Sequence, residues 1–327
     1  MRAAVIVKQG GPEGLKVQQI EEPSPTKEEV LVAVKATALN RADLAQRRGQ
    51  YPAPPGIRQD VPGLEMAGVV IGLGEGVQGV QMGTRVMGLL GGAGYAEKVV
   101  IHSRMLLPIP DNLTFPEAAS LPEVYFTSYD ALFNQCALTM RESVLIHAAG
   151  SGVGTAAIQL ARLVGAKVFG TVGSFNKLGK AVKLGLDVGI NYQEQEFEEV
   201  VHAHTDGLGV NVILDVIGGP YFNANLRSLA SRGRLVLVGS MGGSQVETNL
   251  ALLSSKRLRI HGTVLRARPL EEKIALSEQI KQEILPHFET GKLRPVVDRI
   301  FGLEEVAEAH EYMETNQNFG KIVLSLE

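Results

Sequence analysis

The chain has 327 residues, enough for two domains that each bury an apolar core, and its many aliphatic residues, 37 dispersed glycines and lack of tryptophan are typical of α/β proteins. Lysine and arginine total 32 against 35 aspartates and glutamates, and the net charge of -3 argues against a nucleic-acid partner. The single cysteine excludes an intramolecular disulfide, and no apolar run approaches the ~20 residues that cross a bilayer, so we expect a cytoplasmic protein with no membrane partner.

Short β-rich runs separated by glycine and proline occupy roughly the first hundred residues and predict a compact β domain. The segment from Asp60 to Gly83 is rich in glycine, poor in charge and without helical periodicity, which suits tight turns between strands. The strands predicted in this domain are Ala3 to Val7, Leu15 to Ile20, Val30 to Ala36, Gly68 to Leu73, Thr84 to Gly88 and Ala96 to Val100.

From about Ser143 short buried strands alternate with amphipathic helices, the pattern of a doubly wound parallel sheet with helices on both faces. Its six predicted strands are Val144 to His147, Lys167 to Thr171, Val188 to Ile190, Val212 to Asp215, Arg234 to Val238 and Arg259 to Val264. The last of them alternates polar and apolar residues and is expected at the sheet edge. Because an exposed edge offers unpaired backbone groups to another chain, we expect a homodimer.

The remaining elements are predicted to return the chain to the first domain. They are a long helix from Leu270 to Phe288, a strand from Val296 to Ile300, a helix from Glu304 to Met313 and a last strand from Lys321 to Leu326.

A turn rich in small residues follows the first strand of the parallel sheet and opens a helix that runs to about Val164. Small side chains let the backbone approach a phosphate, and the free N–H groups at a helix N-terminus favour a pyrophosphate. The alternative is a turn that merely shortens the path from strand to helix, but its place at the start of a βα series favours a dinucleotide site. The candidate residues are Ser151, Gly152, Val153 and Gly154.

The end of the second strand indicates which nucleotide binds. NAD-binding sheets place a carboxylate there, ~20 residues after the glycine turn, to receive the ribose hydroxyls. This chain has Ser174 and Lys177 instead, a hydroxyl and a cation that suit the 2′-phosphate of NADPH. The alternative for Lys177 is an ordinary solvated lysine. We predict NADPH as the cofactor.

The turn, together with Gln159 and Arg162, resembles the signature of the quinone oxidoreductases, the zeta-crystallin branch of the medium-chain dehydrogenase/reductase superfamily. The likeness covers essentially the whole chain and is closest to the tumour-suppressor-inducible quinone oxidoreductases of animals. It is carried by Ala38 to Leu44, Gly49 to Tyr51, Leu145 to His147, Ser151 to Leu160, Ile213 to Asp215, Ile217 to Gly219, Ile284 to Phe288 and Gly320 to Leu324.

The resemblance implies a GroES-like catalytic domain over residues 1–122 and 266–327 and a six-strand Rossmann dinucleotide-binding domain over residues 123–265. Arg266 is expected to add positive charge near the cofactor phosphates. By position in the family, the other residues expected to touch the cofactor are Asn40, Tyr51, Val153, Ser174, Lys177, Tyr192, Ile217, Ser240, Met241, Leu265 and Asn318.

The family also bears on metal chemistry. Zinc-dependent members of the superfamily hold the metal through a cysteine and a histidine at positions that correspond here to Asn40 and Leu64, neither of which is a good zinc ligand. We therefore predict no metal. Without a Lewis acid alcohol oxidation is difficult, whereas quinones and conjugated carbonyls accept hydride mainly through proximity and orientation.

Two residues are the catalytic candidates. Tyr51 is placed to donate a proton or hydrogen bond to the developing oxyanion, with packing over the nicotinamide ribose as the alternative. Asn40 is placed to orient the carboxamide or the acceptor through its amide. The predicted function is NADPH-dependent reduction of a quinone or conjugated carbonyl. An enone, alkenal or enoyl-thioester reductase on the same scaffold, and a non-catalytic NADPH-binding protein, remain open as alternatives.

Overall fold

The computed structural model describes residues 1–326 and divides into two compact units. The first unit comprises Met1–Phe126 and the chain from Leu265 onward, and the second comprises Thr127–Val264. The sequence predicts domain boundaries after residues 122 and 265, and in the structure the units change after residues 126 and 264. Within residues 1–326 no helix combines the length and the apolar character that crossing a membrane requires.

The elements are numbered in chain order. The strands are β1 Arg2–Ile6, β2 Leu15–Gln19, β3 Glu29–Ala38, β4 Glu65–Leu73, β5 Arg85–Leu89, β6 Lys98–His102, β7 Leu107–Pro108, β8 Ser143–Ile146, β9 Lys167–Val172, β10 Val188–Asn191, β11 Val210–Asp215, β12 Leu229–Leu237, β13 Arg259–Gly262, β14 Val297–Gly302 and β15 Lys321–Ser325. The helices are α1 Arg41–Arg47, α2 Phe115–Ala119, α3 Pro122–Tyr129, α4 Gly152–Leu163, α5 Phe175–Leu184, α6 Phe197–Ala203, α7 Gly219–Ser228, α8 Ala251–Lys256, α9 Leu270–Gln279, α10 Leu285–Glu289 and α11 Val306–Glu314.

The first unit is built on a seven-stranded sheet in the order β14-β15-β3-β4-β5-β7, with β6 also paired to β3. Alternate residues of β3 are buried, because its even-numbered side chains from Val30 to Ala36 all point to the core face. The last strand, β15, pairs antiparallel with β3, so that Val323 lies opposite Ala38. The C-terminal segment therefore completes the sheet that the N-terminal segment begins.

The second unit contains six parallel strands in the order β10-β9-β8-β11-β12-β13, which confirms the predicted doubly wound sheet. Leu145, Phe169, Ile213 and Leu235, one from each of four neighbouring strands, are fully buried in its core. In such a sheet the order reverses between the first and fourth strands, here β8 and β11, and ligands bind beyond the carboxyl ends of those strands.

The sequence did not predict every element. Helix α1 was missed, and β12 begins at Leu229, whereas the prediction placed its start at Arg234. The long C-terminal helix is present, but a π-helical segment at Ile280–Ile284 joins α9 to α10. Pro286, two residues after the end of this segment, has no N–H to donate to the preceding turn.

Candidate functional site

The turn after β8 has the backbone geometry of a phosphate site. The hydroxyl of Ser151 caps α4 by accepting a hydrogen bond from the N–H of Gly154 at 3.0 Å. A Cβ atom at Gly154 would lie 2.4 Å from the carbonyl oxygen of Ala148, so only glycine allows the helix to start this close to the turn. Gly152 and Val153 are half-buried at the first turn of α4, where helix N–H groups lack intrahelical partners. This arrangement suits a pyrophosphate.

Three of the predicted cofactor residues, Ser174, Lys177 and Tyr192, lie near the end of β9. Ser174 caps α5 by accepting a hydrogen bond from the N–H of Lys177 at 3.3 Å. A Cβ atom at Gly173 would lie 2.5 Å from the hydroxyl oxygen of Tyr192, so the phenol lies directly against the backbone at Gly173. Ser174 and the half-buried Lys177 thus lie at the start of α5, Tyr192 lies against Gly173, and the residues from Gly173 to Lys177 include no carboxylate.

The loops after β11 and β12 are joined by backbone hydrogen bonds. The N–H of Gly242 donates to the carbonyl of Ile217 at 2.9 Å, and the N–H of Met241 donates to the carbonyl of Val216 at 3.1 Å. Gly218 has φ of 85°, and a Cβ atom there would lie 3.0 Å from the Cα atom of Ser240. Ile217, Ser240 and Met241, all predicted to touch the cofactor, therefore lie together beyond the carboxyl ends of these two strands.

Asn40 belongs to a buried polar cluster in the first unit. Its Nδ2 atom donates to Oε1 of Glu65 at 2.8 Å and to the carbonyl of Ala38 at 3.3 Å. Its Oδ1 atom accepts from Nζ of Lys321 at 2.7 Å. Nζ of Lys321 also donates to the carbonyl of Leu39 at 2.6 Å and pairs with Oε1 of Glu65 at 2.8 Å. The sequence had not identified Lys321 as a site residue.

These contacts fix the orientation of the Asn40 amide. An ammonium can only donate and an ionised carboxylate can only accept, so Oδ1 must face Lys321 and Nδ2 must face Glu65. Both hydrogens of the Asn40 amide already donate hydrogen bonds, and one lone pair on Oδ1 remains to accept another. Asn40 can thus accept a further hydrogen bond, but it has no spare hydrogen for a developing oxyanion.

Tyr51 is half-buried and is held by Arg266. The guanidinium of Arg266 lies 5.1 Å from the centre of the Tyr51 ring, and its Nη1 donates to the Tyr51 carbonyl at 3.1 Å. The same guanidinium donates to the carbonyl of Gly91 at 2.8 Å and to Oε1 of Gln46 at 2.5 Å. Burial raises the pKa of the Tyr51 phenol, although the charge of Arg266 opposes the rise, so the phenol is protonated at neutral pH.

The other residues of the first unit that were expected at the cofactor are buried. Leu265 is an apolar residue with 5% exposure, and Arg266 is 6% exposed with its donors directed into its own unit. Asn318 is 9% exposed, and its Nδ2 donates to the carbonyl of Gly320 at 2.8 Å. The side-chain hydrogen bonds of Arg266 and Asn318 thus lie within the first unit.

His147, directly after β8, is fully buried, and burial lowers its pKa to about 4. The unfolded chain therefore binds more protons at this position than the folded protein between the ordinary value of 6.5 and about 4. Stability contributed by His147 is complete above pH 6.5 and is lost as the pH falls through that interval. Burial raises the pKa of Asp215 to about 6, so the stability that this carboxyl contributes increases as the pH falls, opposite to that of His147.

We expect the free energy of unfolding to fall more in the wild type than in His147→Gln, by roughly 2–3 kcal/mol, between pH 7 and about pH 4.5. Glutamine is uncharged at every pH, so the difference isolates the titration of the imidazole. Urea unfolding of both proteins at the two pH values measures it. Equal losses would show that the folded protein binds a proton at His147 over the same pH range as the unfolded chain, so that burial does not lower the pKa of this imidazole.

Two family models match the chain. Residues 26–111 match the model described as alcohol dehydrogenase GroES-like domain, and residues 184–324 match the one described as zinc-binding dehydrogenase. The GroES-like match lies in the first unit, which agrees with the predicted fold class.

The residues present do not fit the zinc that the second description implies. At the positions where zinc-dependent members carry ligands, Leu64 is a buried hydrocarbon and the Asn40 oxygen faces the ammonium of Lys321. A divalent cation beside Asn40 would meet the charge of Lys321 at close range. Across residues 1–326, no three side chains among histidine, cysteine, aspartate and glutamate are grouped to hold a metal.

Solved structures share the whole fold. The crystal structure of Escherichia coli quinone oxidoreductase complexed with NADPH is 29% identical, with a TM-score of 0.89 and coverage of 99% of this chain and 100% of that one. An NAD-dependent alcohol dehydrogenase is 34% identical with a TM-score of 0.90 and full coverage of both chains at 100%. The enoyl reductase JamJ in its apo form is 29% identical with a TM-score of 0.88, covering 99% and 98%.

Sequence relatives narrow the family further. The quinone oxidoreductase of Rattus norvegicus is 32% identical over 330 aligned residues, which cover 100% of this chain and 98% of the rat protein. This identity extends through both units. The chain therefore belongs to the quinone oxidoreductase branch of the medium-chain dehydrogenase/reductase superfamily.

Proposed function

We propose that the protein transfers hydride from NADPH to a quinone or a similar conjugated carbonyl without a metal. The observation that carries the proposal is the end of β9, where Ser174 caps α5, Lys177 lies in its first turn, Tyr192 lies against Gly173 and no carboxylate occurs between Gly173 and Lys177. A carboxylate there would repel a 2′-phosphate, whereas an ammonium and hydroxyls stabilise it. The NADPH in the E. coli quinone oxidoreductase structure supports the same choice of nucleotide.

In this proposal each part of the nucleotide meets a distinct group of residues. The N–H groups at the start of α4, from Gly152 and Val153, bind the pyrophosphate. Ser174, Lys177 and Tyr192 bind the 2′-phosphate. The free lone pair of Asn40 Oδ1 accepts from a donor on the nicotinamide half, either its carboxamide or a ribose hydroxyl. Bound NADPH supplies the hydride.

Tyr51 is the proposed proton donor. Hydride brings two electrons to the acceptor and leaves negative charge on its oxygen, which the phenol of Tyr51 neutralises by donating its proton. Water then returns a proton to the phenolate, so that one hydride and one proton have been added to the acceptor. Arg266 is the proposed positioning residue for Tyr51, since it bonds the Tyr51 carbonyl and lies against the ring.

A second function is kept because the enoyl reductase JamJ shares the fold over nearly the whole chain. Enones, 2-alkenals and enoyl thioesters accept hydride at carbon and need the same proton donor. A non-catalytic NADPH-binding protein is the third alternative. The proposal also includes membership of the tumour-suppressor-inducible subgroup, which the sequence runs from Ala38 to Leu324 support.

An acceptor screen separates these functions. NADPH oxidation is followed at 340 nm with 1,4-benzoquinone, 9,10-phenanthrenequinone, a series of 2-alkenals and a crotonyl thioester. We expect turnover with the quinones to exceed turnover with the others. Faster reduction of the thioester or the alkenals would favour the second function, and binding of NADPH without turnover of any acceptor would favour the third.

We also propose a homodimer that forms through the outer edge of the second unit's sheet. In the described chain β13 pairs on one side with β12, and its four residues are exposed or half-buried. Light scattering of the purified protein at micromolar concentration is expected to give twice the chain mass of 35.1 kDa. A monomer at that concentration would contradict the proposal.

A further inference from the structure

A continuous chain of buried polar side chains crosses the second unit between the turn after β8 and the turn after β11. Its members are Thr171 at the end of β9, His147 after β8, Asn225 in α7 and Asp215 at the end of β11. Each is 1% exposed or less. Buried polar groups are costly unless every donor and acceptor is satisfied, so the direction of each hydrogen bond in this chain can be worked out.

Asp215 determines which group donates in its hydrogen bond with Asn225. It accepts from the backbone N–H of Ile217 at 2.6 Å, from that of Gly218 at 3.1 Å and from Nδ2 of Asn225 at 3.0 Å. Backbone N–H groups can only donate and an ionised carboxylate can only accept, so Nδ2 of Asn225 faces Asp215. The amide oxygen of Asn225 then faces Nε2 of His147 at 2.7 Å.

The donor and acceptor roles of the two His147 ring nitrogens follow from the orientation of Asn225. Nε2 of His147 must hold the proton because Asn225 presents an oxygen to it, and Nδ1 then accepts from the hydroxyl of Thr171 at 3.1 Å. The same hydroxyl accepts from the backbone N–H of Ala148 at 3.2 Å. One set of protons makes the three bonds between these four side chains consistent, and reversing any one bond leaves two donors or two acceptors face to face.

The side chains at both ends of this hydrogen-bonded series contact backbone in or next to an unusual conformation. Ala148 has φ of 50°, in the left-handed region that a non-glycine residue rarely adopts. Gly218 has φ of 85°, and a Cβ atom there would lie 2.7 Å from the carbonyl oxygen of Gly243. Such conformations persist where surrounding contacts hold them. Ala148 leads into α4 and Gly218 leads into α7, at the two strands between which the sheet order reverses.

We propose that Thr171, His147, Asn225 and Asp215 are positioning residues that hold the turns after β8 and β11 together in the geometry that binds the dinucleotide. The inference rests on the proposed function, because it assigns these turns to NADPH. None of the four side chains needs to touch the nucleotide. Their effect passes through the backbone of Ala148 at one turn and of Ile217 and Gly218 at the other.

The hydroxyl of Thr171 gives the sharpest test. Thr171→Val keeps the shape of the side chain but removes the hydroxyl, which leaves the Ala148 N–H and Nδ1 of His147 without partners. Thr171→Ser keeps the hydroxyl. Thr139→Val serves as the matched control. It removes the hydroxyl of an exposed threonine in the same unit that does not belong to the four hydrogen-bonded side chains. The dissociation constant for NADPH is measured by calorimetry on each full-length protein, with KM for NADPH and kcat for a quinone.

We expect Thr171→Val to weaken NADPH binding about tenfold or more, with a larger change in KM than in kcat, and Thr171→Ser to restore most of the loss. In the wild type, long-range ¹H–¹⁵N spectra are expected to show His147 protonated at Nε2. The proposal is overturned if Thr171→Val folds and binds NADPH as the wild type does, or if serine loses as much as valine. Protonation of His147 at Nδ1 overturns it whatever the variants do. A wild type that binds no NADPH overturns the proposed function as well.

Discussion

Lys321→Met is expected to lower the free energy of unfolding by about 3–5 kcal/mol. Lys321 is 4% exposed and Glu65 is fully buried, and Nζ of Lys321 lies 2.8 Å from Oε1 of Glu65. Removal of the ammonium leaves a buried carboxylate with the Asn40 amide and the Glu123 N–H as donors but without an opposite charge, which costs more than the net stabilisation that the intact pair provides. Urea unfolding of the wild type and the variant measures the difference.

The double variant Glu65→Gln with Lys321→Met is the control, because it removes both charges together. We expect it to recover at least half of the stability lost in Lys321→Met, since no isolated charge remains buried. If the single variant loses less than about 1 kcal/mol, the carboxylate is not confined as the contacts indicate. If the double variant is as unstable as the single one, packing by the lysine stem rather than charge accounts for the loss.

Tyr51→Phe is expected to lower kcat for quinone reduction by about 100- to 1,000-fold, equivalent to about 3–4 kcal/mol in the activation barrier. The substitution keeps the ring and its contact with the Arg266 guanidinium, so it removes the proton donor while the loop stays in place. Steady-state kinetics with 9,10-phenanthrenequinone at saturating NADPH measure the effect.

Tyr312→Phe is the matched control for Tyr51→Phe. The Tyr312 hydroxyl donates to Oδ2 of Asp298 at 2.8 Å, so this variant removes a phenol hydroxyl from the same unit without changing Tyr51. We expect its kcat to stay within about twofold of the wild type. Loss of less than about threefold in Tyr51→Phe would favour the alternative in which Tyr51 packs against the nicotinamide ribose.

Local sequence patterns predicted the second unit well. Its strands are short apolar runs that alternate with amphipathic helices, and both features depend on neighbouring residues. The turn from Ser151 to Gly154 could also be predicted, because Gly154 is required by a close approach between the helix and the preceding turn. The missed helix α1 had a local signal as well. Asn40 and Asp43 stand at capping positions, and the Asn40 N–H donates to Asp43 at 2.7 Å.

Contacts between distant parts of the chain could not be predicted from one sequence. Lys321 and Asn40 are 281 positions apart, and nothing near either residue indicates the other. The one available signal is that Lys321 begins a buried apolar strand, where a charged residue needs a partner. Arg266 illustrates the same limit. Its charge favoured a role at phosphates, whereas its donors are directed to Gln46, Tyr51 and Gly91 within its own unit.

The role of Asn40 also depended on information that the sequence lacks. An amide can donate and accept, and from the sequence both roles were open. The ammonium on one side and the carboxylate on the other leave it a lone pair to offer. In the proposed function Asn40 is therefore a hydrogen-bond acceptor for the nucleotide and not a donor to the oxyanion.

A 2′-phosphate bound beside Lys177 is the contact on which the proposed function depends most, and the dissociation constants of NADPH and NADH measure it. We expect the wild type to bind NADPH at least tenfold more tightly, and Lys177→Ala to remove most of that preference, because a charge-assisted contact contributes about 1.5–3 kcal/mol. Lys180→Ala, which changes an exposed lysine of the same helix, should keep the preference. Equal affinity of the wild type for the two nucleotides would show that no 2′-phosphate is bound at Lys177.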